Sequence, residues 1–260
     1  DGRNLGLITA RSNKSQQTDH FFIAQTLVEA KCGESTTQSA TFPLWLHTPA
    51  QPARPNLAPQ FLQALAASLG VPSEPERHDL PQGVQPEQVL AFVYAVLHGP
   101  GYRSAYAEFL KSDFPRIPIA CLPGSGQPFA AVWKALLPLG QALIEAHLLR
   151  KVSAALRARF PVAGDNLVDK PRYTPGPQGA PGRVHINATQ YFDGVLARTW
   201  VFKVGGYKVC EKWLKDRKGR PLSLQDLDQY RSTVAALTHT RTLMDQIEAG
   251  AVGALWPTRQ

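Results

Sequence analysis

The sequence predicts an α+β fold, in which a β-rich part (N-terminal strands plus strands around 184–210) is combined with a helical scaffold. Three observations carry this. Short apolar and aromatic runs fill the first 46 residues. Apolar stripes of helical period occupy Asn56 to Val152. Strand-like alternation returns near Val184, before one last amphipathic stretch. Strands and helices that come in separate blocks, rather than in βαβα alternation, mark an α+β chain.

The elements follow in order. Leu5 to Thr9 is a short apolar run, Phe21 to Val28 mixes aromatic and β-branched residues, and Phe42, Leu44 and Leu46 alternate; all three read as strands. Arg11–Asp19 and Cys32–Ser39 read as loops, and Pro49–Pro55 as a proline-rich connector. Asn56 is the expected N-cap of a first helix carrying Leu57, Phe61, Leu62, Leu65 and Leu69, with Gly70 as its stop. Pro86 opens a second helix, Gly99–Gly101 breaks it, and Tyr102 to Leu110 forms a short third, closed by Pro115 and Pro118. Phe129 to Val152 is helical in pattern, and Pro138 is expected to kink or split it. Pro161–Gly182, rich in Pro and Gly, reads as an exposed excursion. Val184–Asn187 and Thr199–Cys210 read as strands, with Trp200, Phe202 and Val204 on one face and Gly205-Gly206 as a hairpin turn or bulge. Ser223 caps the final helix with Asp226 as its capping-box partner. Leu227, Tyr230, Val234, Leu237, Met244 and Ile247 form its stripe, and Gly250 closes it. The organisation is thus 1–55 strands, 56–152 helical scaffold, 153–222 basic β-rich segment, 223–250 helix and 251–260 tail.

The 260 residues, 43% hydrophobic and 18% charged, suffice for one large domain or two small ones with a substantial core. No apolar run is read as a membrane span and no signal peptide is seen. The chain opens at Asp1 without a methionine, which reads as a piece of a longer protein. Cys32, Cys121 and Cys210 are far apart and odd in number, which argues against a disulfide framework or zinc site and for a reducing, cytoplasmic setting. The net charge is +8, and its placement is uneven. Between Leu196 and Arg220 eight Lys and Arg (Arg198, Lys203, Lys208, Lys212, Lys215, Arg217, Lys218 and Arg220) face only Glu211 and Asp216. A local surplus of this kind is what an electrostatic footprint on a phosphate backbone looks like.

Arg183 to Arg220 interleaves Tyr191, Phe192, Trp200, Phe202, Tyr207 and Trp213 with these cations. Lys and Arg neutralise phosphates, while Asn, Gln and Arg pair with base edges. Lys208, Lys212, Lys215, Arg217 and Lys218 are therefore candidate phosphate contacts. Asn187, Gln190 and Tyr191 are candidate base contacts, with Asn187 and Gln190 suited to adenine and Arg217 or Arg220 to guanine. Arg11, Asn13 and Lys14, in the loop after the first strand, are further candidates. Alternating aromatics such as Trp200 and Phe202 are more often core than stacking platforms. His47, His98 and His147 sit beside apolar runs without metal-ligand spacing. Gly124-Ser125-Gly126 lacks the rest of a phosphate-binding loop, and no G-x-S-x-G elbow is present. The chain offers no catalytic residue and no metal site.

Gly205-Gly206-Tyr207, the run Lys212–Arg220 (KWLKDRKGR) and Asn187–Phe192 (NATQYF) resemble the C-terminal specificity domain of Type ISP and related Type IIG restriction–modification enzymes. So do Phe92–His98, Tyr102-Arg103, Tyr106, Phe109-Leu110 and Asp113–Pro118 (DFPRIP), with weaker matches at Asn4–Leu7 and Phe42–Leu46. The likeness spans nearly the whole chain. It implies sequence-specific recognition of double-stranded DNA that directs the methyltransferase and nuclease of a restriction–modification or phage-defence enzyme. The partners implied are duplex DNA and the methyltransferase, nuclease and helicase-type domains of the same polypeptide, with no membrane. The Asn/Asp-Pro-Pro-Tyr/Phe signature of adenine-N6 methyl transfer is absent, so S-adenosylmethionine is expected in the methyltransferase domain and no cofactor in this chain. The competing reading is a protein-interaction scaffold within a defence complex, its basic run facing an acidic partner.

Overall fold

The computed structural model describes residues 4–14, 18–33, 35–49, 52–251 and 254–257. The expected loops and connector at 15–17, 34 and 50–51, and the tail at 252–253 and 258–260, lie outside the described residues. The chain is α+β, with small antiparallel sheets among helices. It divides into two compact units, Asp1–Ile144 with Leu243–Gln260, and Glu145–Thr242.

The first unit begins with a three-stranded antiparallel sheet of order β2-β1-β3, made of β1 (Gly6–Thr9), β2 (Phe22–Ala24) and β3 (Ala40–Pro43). The small antiparallel pair β4 (Trp45–Leu46) with β5 (Arg54–Pro55) leads into α1 (Pro59–Leu69). Asn56 is not the N-cap of α1. That position belongs to Ala58, because Pro59 fixes the first helical φ, and the Asn56 side chain instead donates to the Pro43 carbonyl at 2.9 Å. Gly70 ends α1 in the left-handed region as expected (φ 71°). The pair β6 (Ser73–Glu74) with β7 (Leu80–Pro81) follows. Next come α2 (Pro86–His98), α3 (Pro100–Ala105), α4 (Ala107–Leu110) and α5 (Phe129–His147). All but three of the thirteen residues of α2 are buried, so it is the central helix of this unit. Pro138 does not split α5. The fully buried Leu136 and Leu143 on either side hold the helix across the missing backbone donor. α5 is also long and apolar enough to cross a membrane, contrary to the sequence reading, but Val132, Leu136 and Leu143 are committed to the protein core. Gly140 explains how closely α5 meets α2: a Cβ there would lie 1.8 Å from the Ala91 carbonyl oxygen.

The second unit is built on a three-stranded antiparallel sheet of order β10-β9-β8, from β8 (Arg172–Thr174), β9 (Gly182–His185) and β10 (Tyr191–Val195). Then follow α6 (Ala197–Trp200), the hairpin β11 (Lys203–Val204) and β12 (Tyr207–Lys208), α7 (Val209–Lys215) and α8 (Leu224–Ala251). The strand expected over Thr199–Cys210 is therefore replaced by a helical turn, a short hairpin and the start of a helix. The Leu196 carbonyl accepts from both Thr199 and Trp200, the Thr199 hydroxyl pairs with that of Thr238 at 2.9 Å, and the buried Trp200 stacks on Tyr173. Gly205-Gly206 does form the hairpin turn, with Gly205 at φ 60°. Pro161–Gly182 is not simply an excursion, since Val168 is fully buried and Arg172–Thr174 is a sheet strand. Proline and glycine mark its turns, but the apolar side chains between them enter the core.

The inner face of the sheet sends Val184, Phe192 and Val195 against Leu214, Tyr230, Val234 and Leu237. Phe192 and Trp213 both pack on the Tyr230 ring, with centroids 4.4 and 5.1 Å away. Each such large apolar side chain contributes on the order of 1.5–3 kcal/mol by leaving water. The capping box at the head of α8 is present: Asp226 N–H donates to Ser223 Oγ and Ser223 N–H donates to Asp226 Oδ2, both at 3.1 Å.

Candidate nucleic-acid interface

The C-terminal basic run folds into the hairpin, α7 and the turn after it. Helical spacing sets Lys208, Glu211 and Lys215 on one side of α7, so Glu211 is shared by Lys208 at 3.8 Å and Lys215 at 2.6 Å. Lys212 pairs with Asp216 at 2.8 Å, and its ammonium lies 5.0 Å from the Tyr207 ring centroid. Lys208, Lys212 and Lys215 together line a cleft of about 290 Å³ with Gly206, Tyr207, Glu211 and Asp216. Exposed i,i+3 and i,i+4 pairs contribute little, ~0.3–0.5 kcal/mol each, so these lysines can exchange a carboxylate for a phosphate at small cost. Lys218 and Arg220 are exposed on the turn after α7 and, among the described residues, hold no ion pair.

Arg217 stands apart from its neighbours. Its Nε donates to Asp226 at 3.1 Å, an Nη donates to the Trp213 carbonyl at 3.1 Å, and the guanidinium carbon sits 3.5 Å from the Trp213 ring centroid. Its side chain is only 20% exposed. The structure makes it a clamp between α7 and α8, with its guanidinium engaged inside the protein. Asp226 accepts from the Ser223 hydroxyl and from Arg217, and these bonds hold its carboxyl below the usual range despite some burial.

Gln190 is also engaged inside the protein. It is 1% exposed, and both halves of its carboxamide are used. Oε1 accepts from Asn166 N–H at 2.8 Å and from the Asn187 amide at 3.0 Å, and Nε2 donates to the Val162 carbonyl at 3.1 Å and Asn166 Oδ1 at 2.8 Å. Asn187 closes the same network. Its amide also donates to the Leu167 carbonyl, and its Oδ1 accepts from the backbone of Thr189 and Gln190. The buried Gln190 carboxamide has each donor and acceptor site filled within the fold, and the half-buried Asn187 is bound to it. The β9–β10 turn is thus a polar hub of the fold.

Tyr191 lies instead on the outward face of the sheet. Strand register places Arg172, His185 and Tyr191 in one cross-strand row and Thr174, Arg183 and Asp193 in the next. Arg172 and Arg183 are exposed, and the Arg183 guanidinium carbon sits 4.5 Å from the Tyr191 ring centroid. His185 is held below its ordinary pKa by partial burial, then by Arg172 and Arg183 on either side. Sequence reasoning missed Arg172, Arg183 and His185, because only the pairing of β8, β9 and β10 makes them neighbours. The one available signal was the alternation Arg183-Val184-His185-Ile186, polar on one side and apolar on the other.

Arg11 and Lys14 belong to the first unit. Arg11 is exposed, 3.9 Å from Asp113, which also pairs with Arg116 at 3.7 Å. Lys14 is exposed, and its backbone N–H donates to the Thr37 hydroxyl. Asn13 is buried. Among the described residues no group of three or more His, Cys, Asp or Glu could hold a metal ion. Burial pushes the Cys210 thiol up to about 12, which leaves it protonated and unsuited to nucleophilic work.

No curated protein matches the chain in sequence. Among solved structures, the DNA-bound ATP-dependent Type ISP restriction–modification enzyme LlaBIII matches over 94% of this chain at TM-score 0.63 and 13% identity. A DrdV–DNA complex matches over 95% at TM-score 0.62 and 17% identity. A nuclease-deletion mutant of the Type ISP enzyme LlaGI, bound to a DNA substrate mimic, matches over 95% at TM-score 0.58 and 16% identity. The chain spans 16%, 24% and 18% of those three proteins respectively, so it shares its fold with a minor part of each. The profile of the Type ISP C-terminal specificity domain matches residues 1–246, nearly the full length, and the chain belongs to that family.

Proposed function

We propose that this chain recognises a specific sequence in double-stranded DNA and brings it to the methyltransferase and nuclease parts of a restriction–modification enzyme in the cytoplasm. The observation that carries the reading is the specificity-domain match across 246 residues, on a chain with a surplus of eight cations. Supporting it are two basic surfaces in the second unit, the lysine cleft of α7 and the outward face of the sheet. Lys208, Lys212, Lys215, Lys218 and Arg220 would neutralise phosphates and fix register, while residues of the sheet face would meet base edges. Arg11 and Lys14 would add contacts from the first unit. Methyl transfer and cleavage are assigned to other parts of the enzyme, where the target adenine would be turned out of the helix to react.

The test is selection from a pool of random duplexes by the whole chain, followed by sequencing of the retained fraction. One preferred site is expected, with affinity falling linearly in log–log form with salt. Failure to retain any duplex, together with tight binding to an acidic protein partner, would favour the scaffold reading.

A further inference from the structure

Arg183 occupies the middle strand of the second unit's sheet and points away from the core, its side chain 53% exposed. Two neighbours from β10 orient it. Asp193, directly opposite in register, accepts from Nε at 3.3 Å, and the Tyr191 ring supports the guanidinium plane at 4.5 Å. Asp193 is itself fixed. Its second oxygen accepts from Arg159 at 2.5 Å, and its backbone exchanges two hydrogen bonds with Arg159, at 2.9 and 2.8 Å. The register of β10 against β9 shifts just beyond it, at a bulge where Gly194 has φ 87°. Bulges of this kind re-aim a side chain on the bent strand.

The consequence lies in which donors remain. With Nε committed, Nη1 and Nη2 make no hydrogen bond among the described residues. They form the end of a planar fork whose direction is set before any ligand arrives. Two parallel donors in a fixed plane match the O6 and N7 acceptors of guanine in the major groove. A phosphate contact needs no such orientation, and under the proposed function the lysines of α7 would supply it. One carboxylate between Arg159 and Arg183 also lowers the local positive charge, which disfavours a purely electrostatic role.

We infer that Arg183, aimed by Asp193 and Tyr191, reads a guanine in the recognition site of this domain. The inference rests on the proposed duplex recognition and adds the residue and the base. His185 and Arg172 lie in the adjoining row of the sheet, where the His185 ring packs on the other neighbour of Arg183, Tyr191, with centroids 5.4 Å apart.

The experiment measures affinities of the intact chain for its selected duplex and for every single base-pair substitution of it. Wild type and three variants, Arg183→Ala, Arg183→Gln and Asp193→Asn, are compared, with melting temperatures recorded. In Arg183→Ala, discrimination at one G·C position is expected to fall roughly ten- to hundredfold, with other positions unchanged. Asp193→Asn should weaken the same position, because the fork loses its anionic anchor. Arg183→Gln should move the preference there from guanine towards adenine, since a carboxamide matches N6 and N7. Should Arg183→Ala fail to fold, the Gln variant decides the matter. Uniform weakening across all sequences would make Arg183 a phosphate contact and overturn the inference, as would unchanged discrimination. A wild-type chain that selects no sequence would bring down the DNA-reading proposal, and this inference with it. Selection by wild type with no effect of Arg183 would remove the inference alone.

Discussion

Arg217 Nε donates to Asp226 Oδ1 at 3.1 Å, and through this bond the end of α7 is fastened to the first turn of α8. The guanidinium is held at the same time over Trp213, whose ring packs on Tyr230 in the core. Replacing Arg217 by Ala removes both contacts. It is expected to lower stability by about 1–2 kcal/mol, from the loss of a partly buried cation–π contact and a charged hydrogen bond. Lys218→Ala should change it by less than ~0.5 kcal/mol. Denaturant titrations of the two variants check the contrast.

Asp226 gives the same junction a pH dependence. Its carboxyl titrates below the ordinary aspartate value, so the unfolded chain takes up the proton first as pH falls. The stabilisation is complete above the unfolded value of about 3.9 and is lost as pH drops through the lower, folded one. Thermal melts between pH 6 and 2 should show this loss. Asp226→Asn should remove that part of the pH dependence while keeping the helix cap partly intact.

Gln190 should be intolerant of change. Gln190→Ala strands the Asn166 N–H, the Val162 carbonyl and parts of two side chains in the interior, an expected loss of about 3 kcal/mol. Gln190→Glu keeps the shape but sets a carboxylate against two acceptors, and should destabilise at neutral pH and recover partly in acid. Melting curves at pH 7 and 4.5 distinguish the two effects.

Salt dependence separates the cations by role. The double variant Lys218→Ala with Arg220→Ala should lower the slope of log affinity against log salt by about 2, at ~0.9 per phosphate. Arg217→Ala should leave the slope within experimental error. Fluorescence anisotropy on one duplex over a range of salt concentrations reads both.

Gly140 provides a prediction in the first unit. The missing Cβ lets α5 lie directly on the Ala91 carbonyl of α2, so Gly140→Ala forces the helices apart. A cost of about 1–3 kcal/mol is expected, despite the better helix propensity of alanine. A lowered unfolding midpoint would show it.

Much of the fold was legible because its signals are local. Ser223 and Asp226 lie three residues apart, Gly205-Gly206 marks its own turn, and the stripe from Tyr230 to Ile247 repeats with helical period. Errors arose where a distant partner decides. Trp200 reads as strand by alternation, yet two partners distant in sequence, Tyr173 stacked on it and Thr238 bonded to the adjacent Thr199, fix a helical turn there. Asn56 reads as a cap, yet Pro59 starts the helix later. The candidate site divided in the same way. Charge density revealed the lysines of α7, since it is a property of the segment. It could not reveal that Arg217 is spent on Asp226, that Gln190 is enclosed by Asn166 and Asn187, or that Arg183 faces Asp193 across a sheet.

The stretch 166–168 is zipped to 219–222: Gly219 N–H donates to the Val168 carbonyl at 2.7 Å, Val168 N–H to the Arg220 carbonyl at 3.1 Å, and Leu222 N–H to the Asn166 carbonyl at 2.9 Å. Two stretches about fifty residues apart are thereby held together as one structural unit. A chimera exchanging the 212–220 block with a relative's would arrive without its matching strand unless 164–168 travelled with it. Recombination between these domains should therefore succeed with crossovers outside both stretches and fail with a crossover between them.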